Sequence, residues 1–293
     1  MAKFLQTNYR LTGNRLHTEF NEKQFLHGSY RIRSFLPDQE LLTFQESLTF
    51  DEKQVLHGSL FGDGSIYIPP KRYVNAVYTE NHSLKEKPYL EWKSHFLKRF
   101  TPKIHDYSFF LPKTGKTYYM TALRTKSSRI LTKYRHIFYP NDKKIIPKKI
   151  LEDLDKLGLC VWYCDDGCYD YSSENIDLAT QGFSIEENKI IQKWFHIKWN
   201  LNAVILPNGR NYHMRFLRKD TKLFLDLVSS YIPKCMNRKN GFDEVKRESA
   251  KKQKREYMKQ YWQTHKRSRN NILKKTKKDT ILKNLVIEHD RNY

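Results

Sequence analysis

Hydrophobic and polar positions follow helical and extended periods in the same order twice along the chain. In the first series the pattern predicts a helix in FDEKQVLHGSLFGDG, extended chain in SIYIPPKRYVNAVYT, a charged helix near residues 85–99, a hairpin turning at 112–115, and a helix in SSRILTKYRHIF. The second series runs in the same order from KKILEDLDKLGLCVWYCDDG, predicted to be one helix, to DTKLFLDLVSSYI. Each repeat is therefore predicted to be a sheet with helices packed on it.

Local signals mark the start of elements in the second series. Ser184 with Glu187 three residues later has the spacing of a capping box at the start of a helix. The tripeptide PNG at 207–209 lies between two extended runs, as in a hairpin turn. These signals predict a helix after Ser184 and a hairpin around Gly209.

The repeats divide the chain into four segments. We expect an N-terminal extension over residues 1–45, one repeat over 46–148, a second over 149–242 and a basic C-terminal tail over 243–293. The extension contains FNEKQFLHGSY, a near copy of the FDEKQVLHGSL of the first repeat, but without the GDG that follows it there. Any chemistry that depends on GDG is therefore absent from the first copy.

The C-terminal tail is strongly basic. It holds 16 Lys or Arg against 7 Asp or Glu, with aromatic residues among them. Three interpretations remain open: an auxiliary DNA-binding helix, a solvated charged helix, or a disordered arm.

Composition indicates a polyanionic partner. The formal net charge is +22, from 54 Lys or Arg against 32 Asp or Glu, which is far more than solubility requires. The basic residues are spread along the chain and no run of about 18 apolar residues exists, so we expect nucleic acid as the partner and no membrane contact. The four cysteines do not form the framework of a small secreted domain. We therefore expect an intracellular location, either an organelle matrix or a bacterial or phage-infected cytoplasm.

The first helix of each repeat ends in an acidic residue followed by glycine. The first ends in GDG at 62–64 and the second in DDG at 165–167. Either tripeptide alone is explained by a helix C-cap or a turn. Their occurrence on equivalent helices of a duplicated chain favours a shared site instead.

Small residues predict a close approach of these two helices. Gly58 and Gly62 are four residues apart and lie on one side of the first helix. Packing there would place Asp63 and Asp166 side by side, and neighbouring carboxylates repel each other unless a cation lies between them. Mg²⁺ or Mn²⁺ suits such oxygen ligands and leaves room for water and phosphate oxygens. The expected reaction is phosphodiester hydrolysis.

The chain resembles the LAGLIDADG homing endonucleases, specifically the single-chain members with two motifs. LHGSLFGDG at 56–64 matches the first motif and LCVWYCDDG at 159–167 matches the second. Further family blocks follow in family order: PYLEWKSHFL, FYPNDKKIIP, LATQGFSIEE and SYIPKCMNRK. The resemblance covers about residues 50 to 240.

This resemblance implies an α+β fold of two pseudo-symmetric αββαββα repeats that form a DNA-binding saddle, with the motif helices at the interface. It implies that the carboxylates of Asp63 and Asp166 bind the metal ion. The backbone carbonyls of Gly62 and Asp165 are implied as extra metal ligands.

The resemblance also implies a basic residue near the cleavage centre from each half. Lys144 matches the first position, and the second falls on Arg238, with Lys239 adjacent, where a lysine is more usual. Arginine is a poorer proton carrier, so an inefficient second cut is one expected outcome. Gln181 resembles a residue that orients solvent near the metal, although a strand glutamine that reads a base edge is an equally good interpretation.

Polar residues of the predicted sheets are the candidates for DNA contacts. One face of an antiparallel sheet is normally polar, so a solvated face is the alternative for each residue taken singly. The set comprises Lys71, Arg72, Tyr73, Asn75, Lys113, Lys116, Arg124, Lys126, Arg210, Asn211, His213, Arg215 and Arg218.

From these features we expect an intron-encoded, monomeric homing endonuclease that makes double-strand breaks in a long double-stranded DNA target. One alternative is an intron maturase of the same fold that binds intron RNA. Another is a non-catalytic DNA-binding regulator. Retention of both Asp63 and Asp166 favours cleavage but does not exclude a dual role.

Overall fold

Two four-stranded antiparallel sheets form the framework of residues 48–70, 74–241 and 245–265, which a computed structural model describes. The strands are β1 (Ser65–Tyr67), β2 (Val77–Ser83), β3 (Lys103–Leu111), β4 (Lys116–Arg124), β5 (Gly167–Asp170), β6 (Asn175–Leu178), β7 (Ala203–Asn208) and β8 (Asn211–Phe216). The strand orders β1-β2-β4-β3 and β5-β6-β8-β7 are one topology used twice. The near copy of the first motif, within residues 1–45, lies outside the described residues.

Helices flank both sheets. The α-helices are α1 (Phe50–Phe61), α2 (Lys87–Phe96), α3 (Arg129–Phe138), α4 (Lys148–Asp153), α5 (Lys156–Asp166), α6 (Ile185–Trp199) and α7 (Arg218–Val228), and a helical segment α8 covers residues 245–265. Short 3₁₀ helices occur at Leu84–Glu86, Lys98–Phe100, Ser229–Tyr231 and Lys234–Lys239. The predicted duplicated α+β arrangement is confirmed.

Local capping signals act where the sequence predicts them. Ser184 and Glu187 form the predicted capping box at the start of α6. Gly209 has a φ of 63° in the turn between β7 and β8, a conformation that glycine adopts without strain. Thr49 and Glu52 form a further capping box, at the start of α1.

The segment predicted as one helix from Lys148 to Asp166 is two helices, α4 and α5. Leu154 adopts an extended conformation, with ψ of 122°, and ends α4. The side chain of Gln54 bonds to both backbone groups at the break: its Nε2 donates to the Asp153 carbonyl at 2.9 Å, and its Oε1 accepts from the Asp155 N–H at 2.7 Å. The interruption is therefore supported by a residue of the other repeat.

Helices α1 and α5 pack closely, as their small residues predict. A Cβ atom added at Gly58 would lie 2.2 Å from the carbonyl oxygen of Gly158, so glycine is required for this approach. The carboxyl ends of the two helices meet, because the Asp63 N–H donates to Asp165 Oδ2 at 3.3 Å. The helix pair thus carries both acidic tripeptides to one place.

The core is continuous between the repeats. Trp162 of α5 is fully buried and lies 5.2 Å from the ring of Phe61 and 6.2 Å from the ring of Phe195. Cys160 and Cys164 are buried in the same core. Within the described ranges, no helix is both long enough and apolar enough to cross a membrane.

Candidate metal centre and nucleic-acid interface

Each motif acid lies where a helix passes directly into the first strand of a sheet. Asp63 follows Gly62, the C-cap of α1, and precedes Gly64, whose N–H donates to the Ser59 carbonyl at 2.7 Å. A Cβ at Gly64 would lie 2.7 Å from that same carbonyl oxygen, so only glycine fits this turn. Asp166 ends α5, and its carbonyl accepts from the Ala179 N–H at 3.0 Å, which ties it to the second sheet.

Asp63 lies close to other carboxylates, those of Asp166, Asp165 and Glu80. Burial, then the charges of Asp166 and Asp165, raise the pKa of Asp63 to about 8. A divalent cation bound between the carboxylates would relieve this repulsion, and a set of oxygen ligands suits Mg²⁺ or Mn²⁺. The residues present therefore fit such an ion.

A lysine lies at the helix-to-strand junction of each repeat. Lys144 Nζ donates to the carbonyls of Gly62 and Gly64, at 2.9 and 3.0 Å. Burial lowers the pKa of Lys144 to about 8, against the opposing effect of the nearby aspartates. Lys239 Nζ donates to the carbonyl of Gly167, the residue that corresponds to Gly64 in the second motif.

Lys239, and not Arg238, occupies the position equivalent to Lys144. The Arg238 guanidinium instead forms an ion pair with Glu86 of the first repeat. Successive residues of a 3₁₀ helix point about 120° apart, so adjacent residues of the 3₁₀ helix Lys234–Lys239 reach different partners. The expected substitution of arginine for the second lysine is corrected, and the expected weak second cut loses its basis.

The side chain of Asp165 is fully engaged by protein donors. Oδ1 accepts from Tyr89 Oη at 2.7 Å and from Lys93 Nζ at 2.7 Å. Oδ2 accepts from Lys93 Nζ at 2.9 Å and from the Asp63 N–H at 3.3 Å. A carboxylate has about four acceptor positions, so this side chain has no position left for a metal ion.

Asp63, Asp165 and His82 bring potential ligand atoms within 4.8 Å of one another, but their bonding argues against a metal site made by these three side chains. His82 Nε2 bonds to Glu80 Oε1 at 2.6 Å, and Nδ1 bonds to Glu86 Oε2 at 2.9 Å. Burial lowers the pKa of His82, but these two carboxylates outweigh it and raise the pKa to about 10. The imidazole is therefore protonated and has no lone pair for a metal.

Sequence analysis missed Glu80, His82 and Lys93, which are all buried beside this centre. A signal was available in the alternation of β2. Tyr78, Glu80 and His82 share one face of the strand and are buried, whereas Asn81 between them is exposed. Two ionisable residues on the core face of a strand indicate a buried polar network.

The sequence also matches a known protein family. The model of the LAGLIDADG DNA endonuclease family matches residues 53–224. This chain belongs to the LAGLIDADG family.

Relatives of this LAGLIDADG protein include endonucleases and a maturase. The probable intron-encoded endonuclease 1 of Wickerhamomyces canadensis is 28% identical over 194 residues, which are 61% of this chain and 79% of the relative. The cytochrome b mRNA maturase bI2 of Debaryomyces hansenii is 23% identical over 219 residues, covering 72% of this chain and 81% of the maturase. Among solved structures, the homing endonuclease I-WcaI bound to its DNA recognition sequence has 25% identity and a TM-score of 0.60, covering 71% of this chain and 95% of that chain.

In the first LAGLIDADG repeat, most described candidates for DNA contact are exposed. Lys113 and Lys116 lie at the β3–β4 turn, and Arg124 ends β4 with Lys126 just after it. Asn75 is half-buried and accepts a hydrogen bond from Thr132 at 3.3 Å. The candidates Lys71, Arg72 and Tyr73 lie outside the described residues.

The strand register adds a residue that sequence analysis missed. Arg124 pairs with Thr79 on one side and with Lys103 on the other, so these side chains share one face of the sheet. Lys103 is exposed. Arg124 also lies over the Tyr67 ring, 5.5 Å from its centroid.

In the second repeat, several candidates for DNA contact form ion pairs with acidic neighbours. Arg215 makes a bidentate pair with Asp177, at 2.6 and 2.8 Å, and His213 Nε2 lies 3.6 Å from the same carboxylate. Arg218 is the first residue of α7 rather than a strand residue, and it pairs with Glu174 at 2.5 Å. Arg210 and Asn211, at the β7–β8 turn, are exposed.

Gln181 lies in the turn between β6 and α6, not in a strand. It is half-buried and lies three residues after Leu178, the end of β6. The prediction that Gln181 lies in a strand is therefore wrong.

Proposed function

We propose that this protein is a site-specific homing endonuclease that makes double-strand breaks in a long DNA target by divalent-metal-dependent phosphodiester hydrolysis. The observation that carries the proposal is the paired centre: two motif acids at the meeting ends of α1 and α5, with a lysine on the glycine carbonyl beside each. The family membership and the intron-encoded relative support it.

We assign the metal ligands to the carboxylates of Asp63 and Asp166, with the backbone carbonyls of Gly62 and Asp165 as further ligands. When bound, the ion polarises the scissile phosphate, lowers the pKa of the attacking water and stabilises the leaving oxygen. The high pKa of Asp63 supports this assignment, because burial and the charges of Asp166 and Asp165 oppose its ionisation more strongly than His82 favours it.

Lys144 and Lys239 are assigned to the two DNA strands, one each. Their ammonium groups would contact the phosphates that are cut. Because burial brings the pKa of Lys144 to about 8, this lysine can exchange a proton near neutral pH. Gln181, which lies three residues after the end of β6, is assigned to orienting water.

Double-stranded DNA would lie across the exposed faces of the two sheets. Lysine and arginine there would bind phosphates, while asparagine and arginine can read base edges in the major groove. Two motifs in one chain supply both halves of the centre, so we propose that the protein acts as a monomer. The intron-encoded relatives support action inside a cell, in an organelle matrix or a bacterial cytoplasm.

The decisive experiment is cleavage of a randomised DNA-site library in Mg²⁺, followed by sequencing of the ends. The matched control is the double variant Asp63→Asn, Asp166→Asn, whose DNA binding is checked in Ca²⁺. We expect sequence-specific double-strand ends from the wild type alone. Binding without any metal-dependent cut, from a preparation that binds DNA, would overturn the proposal.

A second candidate is a maturase that binds intron RNA. It is favoured by one observation, the similarity to the Debaryomyces hansenii maturase over 72% of this chain. The test is splicing of a cognate intron RNA with the Asp63→Asn, Asp166→Asn variant and without any protein. Faster splicing in the presence of the variant would support the maturase function. A non-catalytic regulator is less favoured, because both motif acids are retained.

A further inference from the structure

Arg124 and Arg215 occupy equivalent positions in the two sheets. In each sheet, a row of cross-strand neighbours starts two residues after the motif acid and includes one of these arginines. The register gives the rows as Ser65, Thr79, Arg124 and Lys103 in the first sheet, and Cys168, Asp177, Arg215 and Val204 in the second. The two arginines are therefore related by the pseudo-symmetry of the repeats.

Arg215 lies on the outer face of the second sheet. Met214 and Phe216, its neighbours along β8, are fully buried in the core. Successive residues of a strand point to opposite faces, so Arg215 and its cross-strand neighbour Asp177 point away from the core. Their side chains are 34% and 30% exposed. This is the face on which the proposed function places DNA.

Asp177 holds the Arg215 guanidinium with two hydrogen bonds. Nε donates to Oδ1 at 2.6 Å, and Nη2 donates to Oδ2 at 2.8 Å. The guanidinium is a planar fork of N–H donors, so this pair leaves both hydrogens of Nη1 and one of Nη2. Because the carboxylate fixes the plane of the fork, the direction of these remaining donors is also fixed.

The two rows differ in charge. Arg124 has Thr79 on one side and the exposed Lys103 on the other, so the first row carries two positive charges and suits DNA phosphates. Arg215 has Asp177 and Val204 beside it, so the second row is neutral overall. A carboxylate in contact with the arginine repels a phosphate, whereas the acceptors of a base edge are uncharged. The second row is therefore better suited to a base than to the DNA backbone.

Guanine is the base whose major-groove edge matches the donors that Asp177 leaves on Arg215. Guanine presents two acceptors there, O6 and N7, whereas adenine presents one acceptor and one donor. The major groove also admits a two-stranded β-ribbon such as β7–β8. An arginine that is already held in place loses less conformational freedom when it binds, which favours a selective contact.

We propose that Asp177 is a positioning residue that holds Arg215 against a guanine, so that the half-site bound by the second repeat requires guanine at that position. At the equivalent position in the other half-site, Arg124 contacts phosphate and tolerates any base. The inference rests on the proposed function, since it requires a specific DNA target.

The test is selection of bound duplexes from a randomised site library in Ca²⁺, followed by sequencing. We expect the wild type to select a guanine that Arg215→Ala does not select, while the other selected bases stay the same. Affinities are then measured for two duplexes that carry guanine or adenine at this position. The wild type is expected to prefer guanine by about tenfold to a hundredfold, the range of one bidentate contact. For Arg215→Ala the preference is expected to fall below about threefold.

Two more variants separate base reading from charge and from folding. Arg215→Lys keeps the charge but lacks the fork, so it is expected to lose the guanine preference and to bind the adenine duplex as well as the wild type does. Asp177→Asn is expected to lower the guanine preference at least about fivefold and to strengthen binding to the adenine duplex, because the arginine is freed to contact phosphate. A purely structural ion pair would not exchange selectivity for affinity in this way.

Arg124→Ala is the matched control. It is expected to weaken binding to both duplexes by the same factor and to leave the selected bases unchanged, because Arg124 is assigned to phosphate. Unchanged guanine selection by Arg215→Ala and Arg215→Lys, or a guanine preference that depends equally on Arg124, would overturn the inference. A wild type that binds the selected site but does not cut it in Mg²⁺ would overturn the nuclease function alone, because base reading is measured by binding in Ca²⁺.

Discussion

Replacing Asp63 with asparagine is expected to stabilise the metal-free protein at pH 8, although it removes a proposed catalytic ligand. Asp63 has a pKa of about 8 in the folded chain, compared with 3.8 for an ordinary aspartate. The folded state therefore holds a proton that the unfolded state releases. As pH rises from about 4 to 8, the free energy of unfolding of the wild type is expected to fall. Above pH 8 this loss of stability is complete and stays constant.

The magnitude follows from the change in proton affinity. At about 1.4 kcal/mol for each tenfold change, a pKa of about 8 corresponds to an upper limit of roughly 6 kcal/mol. Effects of single substitutions rarely exceed about 4 to 5 kcal/mol, because the surroundings relax. We expect Asp63→Asn to raise the free energy of unfolding at pH 8 by about 2 to 4 kcal/mol, and by much less at pH 5.

The assay is urea unfolding in EDTA, at pH values from 5 to 8.5, with the wild type and Asp63→Asn side by side. Asp226→Asn is the control, since Asp226 lies on the exposed side of α7 and its replacement is expected to change stability by less than about 0.5 kcal/mol. Adding Mg²⁺ at pH 8 is expected to stabilise only the chains that keep Asp63. A variant that is less stable than the wild type by the same amount at every pH would refute the reasoning.

Three further predictions follow from the same structure. Lys144→Met and Lys239→Met are each expected to lower the cleavage rate about a hundredfold while DNA affinity in Ca²⁺ changes little; a matching loss of affinity would contradict the assigned role. Gly58→Ala is expected to lower the free energy of unfolding by about 2 to 3 kcal/mol, because its methyl group would lie 2.2 Å from the Gly158 carbonyl oxygen, whereas Gly182→Ala has open space and serves as the control. If α8 binds DNA, replacing four of its basic residues with glutamine is expected to make the DNA affinity less sensitive to salt. The slope of log affinity against log salt concentration should fall in magnitude by about 0.9 for each phosphate that the helix no longer neutralises. An unchanged slope would mean that α8 does not contact the DNA. These four are Lys251, Lys252, Arg255 and Lys259.

The local periodicity of the chain was sufficient to predict the duplicated order of helices and hairpins. The Ser184 capping box and the turn at Gly209 depend on residues close together in sequence, so they could be recognised without a structure. The break between α4 and α5 could not, because Gln54 stabilises it from about a hundred positions earlier in the chain.

The candidate site was predicted in part. Asp63 and Asp166 could be singled out because each ends a motif helix, and a packed helix pair brings such ends together. The choice between Arg238 and Lys239 depends on the phase of a short 3₁₀ helix against two partners, Glu86 and Gly167, that are distant in sequence. Adjacent basic residues in a sequence carry no information about that phase.

The sequence by itself determined the repeat, the position of the two motif acids and the strong positive charge, because periodicity, motif spacing and composition are properties of neighbouring residues. Tertiary structure decided which groups share the centre. Only folding brings Lys93 of the first repeat, which also bonds to Glu80, against Asp165 of the second. Burial there, together with the charges of Asp166 and Asp165, raises the pKa of Asp63 to about 8. Desolvation and pairing between distant segments depend on the packed arrangement of the whole chain.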